Sequence, residues 1–454
     1  MKRKNMWAFV MTVVLILSLA SCGKSGQTEQ PPADNRESGQ QGESREPENP
    51  QEPAGDTQQS LGEGAELICW TILNPESDAD PRNIAFKKIV DNWNETNAFG
   101  ARMTVVSVNW ADLHTQFTQA AAAGNSPDVV CAFSTNLDQY IAAGGLQPMT
   151  EYAKAWIDET EDYIYTAEAL TKTDGEIYSL PWETRCMVLY YRTDIYGEEP
   201  PFKSLQDIAD KAGQYTEGGN YGFVLGCHGD DGFLQQLTPV LYAFGASVYD
   251  KDMNLVLNSE EGVKAIEWLR DLYHAGVMDN AGVQMNIEDT FNAMKAGTAY
   301  SIILGSHRYG ALTSAEGVGE HIKTCAIPGV ADGSVAPAYD TSQTLGIGAE
   351  CRYPEIAFDF ITANLTTEAS SYWYEASCMP VRTSVYDLEE IKSSAMYDVM
   401  SEWSRIWETG LDNFFFEPDY NAEFSTAVAE EVQNLIINGG DVKAALDELV
   451  SRYQ

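Results

Sequence analysis

The side chains of this chain whose types and spacing suit chemistry are suited to holding a molecule rather than to transforming one. An apolar run from Glu66 to Leu73 ends in Asn74-Pro75-Glu76-Ser77-Asp78, and another from Asp128 to Phe133 ends in Ser134-Thr135-Asn136. Both runs read as strands, and parallel α/β sheets bind ligands beyond the carboxyl ends of their strands. Asn74, Glu76, Ser134 and Asn136 are therefore candidate hydrogen-bonding groups, and Asn136 brings both a donor and an acceptor. A solvated loop accounts equally for Asn74 and Glu76, and a helix N-cap before Leu137 accounts for Asn136. Further along, Trp182 stands beside Glu183 and Arg185. That is a ring to stack on next to two planar charged groups, although a core tryptophan beside a salt bridge has the same spelling.

Covalent and metal chemistry leave no such mark. The chain has no P-loop, no G-x-S-x-G, no H-E-x-x-H and no paired zinc spacing. Its five His are isolated. Sixty-eight acidic residues make any one carboxylate pair uninformative, so counting does not decide against a glycosidase dyad. Asp250, Asp252, Asn254 and Glu261 mimic calcium-loop positions, but Leu255 stands where the turn Gly belongs, which favours a hairpin tip. No metal or other cofactor is expected.

The elements that must position the candidates alternate. After the first strand a helical stretch puts Phe86, Ile89, Val90 and Trp93 on one face; a β-rich run covers Met103 to Val108. A helix over Asp112 to Ala123 stops at Gly124, before the strand from Asp128. Strand–helix alternation implies parallel βαβ units. A second α/β region runs from about Val188 to Ala336. It holds a helix with Asn258 as N-cap, Glu261 three residues on, an apolar face at Val263, Ile266, Leu269 and Tyr273, and Gly276 as its stop. Pro354 opens another helix with Ile356, Phe360 and Ile361 inward, and the helical C-terminus is broken at Gly439-Gly440.

Charge and length bound the class. The net charge of -40 argues against nucleic acid, whose binding needs Lys and Arg to neutralise phosphates. It argues equally against electrostatic adhesion to anionic lipid. The N-terminus reads Lys2-Arg3-Lys4, then an apolar run from Met6 to Leu19, then Ala20-Ser21-Cys22. This is the order of a secretory signal peptide, and the run falls short of the ~20 residues a membrane span needs. It resembles a bacterial lipoprotein signal, which implies lipidation of Cys22 after removal of residues 1–21. Residues 22–64 are rich in Gln, Glu, Pro, Gly and Ser and read as a disordered tether. The remaining body of roughly 390 residues exceeds one typical core and suggests two lobes. Seven further Cys (69, 131, 186, 227, 325, 351 and 378) are odd in number and widely spaced, a poor disulfide framework.

The body resembles the extracellular solute-binding proteins of bacterial ABC importers, in the maltose-binding-like group. The resemblance rests on short stretches in a fixed order from about residue 66 to the end. They are Trp110-Ala111-Asp112-Leu113, Ala123-Gly124-Asn125-Ser126-Pro127-Asp128-Val129-Val130, Gly144-Gly145-Leu146-Gln147-Pro148, Gly175-Glu176-Ile177-Tyr178-Ser179-Leu180-Pro181-Trp182, Val188-Leu189-Tyr190-Tyr191-Arg192, Met294-Lys295-Ala296-Gly297 with Gly305, and Met379-Pro380-Val381-Arg382.

The resemblance implies an α/β, two-lobe periplasmic-binding-protein-like fold with hinge strands and a ligand cleft. The N-terminal lobe would comprise residues 65–182 plus 345–382, and the C-terminal lobe 183–344 plus 383–454. It implies a monomeric substrate-binding lipoprotein that is not an enzyme. The protein would be held at the outer face of the bacterial membrane by its N-terminal lipid. It would capture a carbohydrate, an oligosaccharide above all, by hinge closure and deliver it to the transmembrane permease subunits. A secreted carbohydrate-active enzyme, a binder of a non-sugar solute and a surface adhesin or sensory partner are the alternatives. Trp182 becomes the leading stacking candidate, with Glu183 and Arg185 reaching hydroxyls. His307 replaces the Trp that the family usually carries after Gly-Ser, and Arg308 follows it. That departure turns the expectation from simple stacking toward a charged or heavily hydroxylated ligand. Tyr339 and Asp340 precede the return strand and complete the candidate set. Phe414, Phe415, Phe416 and Tyr420 read better as core packing than as a cleft rim.

Overall fold

The computed structural model describes residues 64–78, 80–172, 174–228, 232–250, 254–410 and 422–453. Cys22, the signal segment, nearly all of the tether, Asp252 and the Phe414–Tyr420 cluster lie outside the described residues.

Among the described residues, eight strands form two sheets. β1 (Glu66–Thr71), β2 (Arg102–Ser107), β3 (Val129–Phe133), β4 (Ser179–Glu183) and β8 (Gln343–Ile347) make the first, in the order β2-β1-β3-β8-β4. β1 runs parallel to both β2 and β3, while β8 is antiparallel to β3 and β4. β5 (Met187–Arg192), β6 (Ser301–Gly305) and β7 (Ile322–Cys325) make the second sheet, order β6-β5-β7, antiparallel throughout.

β1 alternates in the two-residue period of a strand buried on one face, with Leu67, Cys69 and Thr71 inward and Ile68 exposed. The helix Pro81–Thr96 follows because Asp80 caps it, accepting from the Arg82 N–H, and Pro81 sits where its missing N–H costs nothing. Its buried face carries Phe86, Ile89, Val90 and Trp93, as the periodicity predicts. The helix Glu260–His274 is capped by Ser259, not Asn258. The Asn258 amide instead donates to Asp447 at 2.6 Å. The inner face carries Ala265, Ile266, Leu269 and Leu272, and Val263 and Tyr273 are half-buried. Gly276 ends this helix at φ 75°, a conformation that costs a side chain strain. On either side of residues 251–253, which lie outside the described residues, the Asn254 N–H donates to Asp250 at 2.9 Å and Tyr249 bridges Leu255.

β5 and β6 divide two cores between them. Val188, Tyr190, Ile302 and Leu304 face the larger core, which also holds Leu67, Phe360, Trp373, Trp403 and Trp407. Met187, Leu189, Tyr191 and Ile303 face the second, with Leu269, Val428 and Leu446. The helix Tyr397–Glu408 bridges the two sheets. Its Trp403 indole donates to Thr324 beside β5 at 3.0 Å, and its Trp407 ring meets Tyr165 edge-on at 5.2 Å. All seven described cysteines are buried free thiols. Among the described residues no helix is long and apolar enough to cross a membrane.

Candidate functional site

The carboxyl ends of β1, β2 and β3 open on one edge of the first sheet, and the antiparallel β8 begins at that same edge, with Gln343 opposite Phe133. The chain then crosses to the second sheet through 183–187 and returns through 339–343. Thr184 bridges Met379 and Cys186 bridges Asp340, so these crossings lie side by side. The carboxyl end of β6 arrives beside them, because Gly305 pairs with Met187 at the start of β5. Topology therefore gathers four stretches at one place: the loop into Arg82, Ser134–Asn136, Glu183–Arg185 with 340–343, and His307–Arg308; the start of the helix at Trp110 lies farther along the same edge, beyond β1.

β4 tolerates Pro181 because it is the edge strand, where a missing ladder N–H is harmless. Its register shifts between Pro181 and Glu183, making Trp182 the extra residue of a bulge. Trp182 consequently packs inward. It is 2 % exposed, its ring lies 4.1 Å from that of Trp373, and its indole N–H meets the Cys131 thiol. Glu183 and Arg185 follow it, with 0 % and 5 % of their side chains exposed, and they form an ion pair. Their contact runs between Arg185 Nη2 and Glu183 Oε1, while Nε of Arg185 has no hydrogen-bond partner. The Cys378 thiol lies alongside, pushed well above its usual range by burial and then by Glu183.

Other buried polar atoms nearby also lack partners: Ser134 Oγ, His307 Nδ1 and Gln343 Nε2. A buried polar group without a partner costs about 1–3 kcal/mol, so several along one edge are the mark of a surface built to meet something. His307 folds back on the end of β6, where a Cβ on Gly305 would lie 2.6 Å from its ring and would push the imidazole aside. Burial, reinforced by Arg185, Arg308 and Arg82, holds the imidazole well below its usual range, so it is neutral at pH 7. Arg308 pairs with Glu288 and lies 4.9 Å above the Phe291 ring. Burial lowers its guanidinium; Glu288 opposes that, and Arg82 and Arg185 add to it. Asp340 is buried with Oδ1 accepting from the Ser342 N–H at 2.9 Å and from its hydroxyl. Burial, with Glu183 adding, pushes its carboxyl well above the ordinary range.

The remaining candidates sit apart from this cluster or on its rim. Asn74 and Glu76 are exposed, and the Asn74 side chain is spent on its own turn, accepting from the Glu76 N–H at 3.0 Å. Asn136 precedes the helix Leu137–Ala142 without capping it, which leaves its amide off that duty. Tyr339 is turned into the second core, edge-on to Tyr242 at 6.2 Å.

Sequence reasoning passed over Arg82, Gln343 and Trp110. Arg82 holds Asp80 through Nε at 3.1 and 3.0 Å. The Asp80-Pro81 helix start, a few residues beyond Asn74, was the available signal for it. Trp110 is 49 % exposed at the carboxyl end of β2, the position that strand-end logic singles out. Gln343 is placed only by the β8 pairing, which no local pattern reveals. No group of acidic, His or Cys side chains among the described residues is arranged to hold a metal ion.

A profile of the bacterial extracellular solute-binding proteins matches residues 88–397. The arabinooligosaccharide-binding protein of Halalkalibacterium halodurans is 24% identical over 254 residues, 53% of this chain and 54% of that protein. The maltodextrin-binding protein MdxE of Bacillus subtilis is 25% identical over 189 residues, 38% of this chain and 42% of that one. The chain thus spans about half the length of the curated relatives it matches. Two solved structures cover 86% of the chain at a TM-score of 0.70. The GacH receptor of Streptomyces glaucescens is 16% identical with 97% of it covered, and a Thermotoga lettingae solute-binding protein bound with alpha-D-tagatose is 19% identical with 98% covered. This likeness, shared with a maltose-bound T. maritima protein, shows the two-lobe maltose-binding-protein-like α/β fold that the sequence led us to expect. With the matched profile running from the first helix through the return strand, the chain belongs to the bacterial extracellular solute-binding proteins.

Proposed function

We propose that this protein captures a carbohydrate for an ABC importer and hands it on unchanged. The observation that carries the reading is the set of unpartnered buried polar atoms on Ser134, Arg185, His307 and Gln343 around the buried Glu183–Arg185 pair, drawn to one place from both sheets. A sugar supplies what they lack, since each hydroxyl both donates and accepts. A site built this way rejects analogues that leave those groups unpaired. The names of the two relatives, binders of arabinooligosaccharide and maltodextrin, support the ligand class. In this reading Asn74, Glu76 and Asn136 line the approaches. Trp182 forms the wall behind Glu183, and Tyr339 and Asp340 back the return crossing.

The lobes of the proposal are residues 65–182 plus 345–382 and residues 183–344 plus 383–454, with the bridging helix Tyr397–Glu408 behind the crossings. Ligand favours closure only through contacts it makes in the closed form alone. Lipid on Cys22 and the 22–64 tether would hold this monomer outside the membrane, beside the permease that receives the ligand. No step in the proposal breaks a bond in the sugar.

A thermal-shift screen over mono-, oligo- and acidic sugars tests it. A ligand that binds only the native state at 100 times its Kd adds about 2.7 kcal/mol. We expect a raised Tm with at least one glycan, recovered chemically intact, and a scattering profile that contracts on binding. Turnover of that glycan, or no shift with any carbohydrate, overturns the proposal.

A further inference from the structure

Building on the carbohydrate reading, we propose that the ligand is an acidic carbohydrate whose oxyanion, carboxylate or phosphate, is received by Arg82, Arg185 and Arg308 around His307. The three arginines come from separate parts of the chain: the loop after β1, the first crossing and the end of β6. They converge although the chain as a whole carries a net charge of -40. Such a background repels an anion, so a site for one must supply its own local cations.

Each arginine is anchored by one carboxylate, Asp80, Glu183 or Glu288. The anchors hold the guanidiniums in place without exhausting them. A guanidinium has five N–H donors in a planar fork. Arg308 gives Nη2 to Glu288, and Arg185 gives Nη2 to Glu183 while its buried Nε has no hydrogen-bond partner. Spare forked donors match the two-oxygen edge of a carboxylate or phosphate better than they match a single hydroxyl.

His307 marks the centre. Its buried Nδ1 has no partner, and the charges acting on it are Arg185, Arg308 and Arg82, with no carboxylate among them. An arriving oxyanion gives these carboxylate-anchored arginines a second charged acceptor, a stronger partner than a neutral hydroxyl. The rings that would serve neutral stacking are mostly committed. Trp182 is packed on Trp373, Arg308 covers Phe291, and Trp110 is the one exposed tryptophan among the described residues.

The test is calorimetry on the protein with glucuronate, galacturonate, their disaccharides and glucose 6-phosphate, each beside its neutral parent. We expect an acidic member to bind roughly tenfold or more tighter than its parent, since desolvated charge pairs reach such coupling. The uronate and phosphate arms then tell the two oxyanions apart. Arg308→Gln should reduce the acidic-to-neutral ratio by about tenfold. Arg82→Gln, on a separate segment of the chain, repeats the measurement should the first variant fail to fold. A neutral parent binding as tightly as its acid overturns this inference and leaves carbohydrate capture standing. Binding by no sugar, acidic or neutral, overturns both.

Discussion

Arg185 and Glu183 form an ion pair with 5 % and 0 % of their side chains exposed, two residues apart in the segment that carries the chain from one sheet to the other. Removing one partner from a buried pair typically costs about 3–5 kcal/mol, because the survivor keeps an uncompensated charge. Glu183→Gln and Arg185→Gln should each destabilise by an amount of that order. The double variant Glu183→Gln/Arg185→Met should recover most of it. Ligand binding should not return with stability in the double variant, as measured by denaturant unfolding beside calorimetry. Recovery of both would make the pair purely structural.

Two tryptophans should separate stability from recognition. Trp182 is packed on Trp373, so Trp182→Ala should cost about 3–5 kcal/mol, the usual range for emptying a large aromatic site. The sequence alone favours Trp182 as the stacking ring, and a variant that folds but binds nothing would restore that role. Trp110, half exposed at the end of β2, should behave oppositely. Trp110→Ala should leave Tm within about a degree or two of the parent, as surface changes do, while weakening the ligand about five- to tenfold through lost stacking. Unchanged affinity would remove Trp110 from the site.

The legibility of the chain follows the range of the interactions involved. The ends of β1 and β3, the apolar face of the helix Pro81–Thr96 and the stops at Gly276 and Gly439-Gly440 depend on neighbours a few residues away, and the sequence shows them. The cap of the helix Glu260–His274 lies one residue from the expected one because Asn258 and Ser259 are both good caps; the distant Asp447, which binds the Asn258 amide, decides between them. A free face for Trp182 is what Leu-Pro-Trp-Glu suggests, because a bulge cannot be read from those four residues; it exists only in the pairing with β8. Arg185 and His307 are legible as residue types, but their meeting with Arg82 depends on contacts across more than a hundred positions.

Asp340 and His307 should leave opposite marks on the pH dependence of stability. Asp340 keeps its proton in the fold above the pH at which the unfolded chain loses it, about pH 4. Its contribution is therefore fully present below pH 4 and declines as pH rises from there. His307 stays neutral in the fold while the unfolded chain takes a proton below about pH 6.5, so its contribution is lost as pH falls from 6.5. Asp340→Asn should thus match or exceed the parent Tm at pH 7 and lose ground only as pH falls toward 4. His307→Gln should be less sensitive to acid between pH 6.5 and 5. Taking each variant against its parent cancels the many surface carboxylates. Parallel curves would show that neither group is held in the protonation state assigned to it.

Ser377 and Gly310 meet between a segment that follows β8 of the first sheet and one that follows β6 of the second. A Cβ on Gly310 would lie 3.0 Å from Ser377 Oγ, closer than side chains ordinarily approach. Ser377 is itself the one described non-glycine residue at positive φ, 65°, where it closes the helix Thr367–Glu375. A left-handed residue with a Cβ costs about 1–2 kcal/mol, so this position holds its conformation at some expense. If the contact forms on closure, Gly310→Val should wedge it. The unliganded Tm should hardly move, since the strain belongs to the closed form, yet affinity should fall and the ligand-induced contraction in scattering should shrink. Adding Ser377→Gly to the Gly310→Val variant removes the opposing hydroxyl and should restore both. Rescue of affinity by that second change, with Tm unmoved by Gly310→Val and raised by Ser377→Gly alike in both backgrounds, is what a contact specific to closure requires; a Gly310→Val protein that simply melts earlier would instead place the contact in the resting fold.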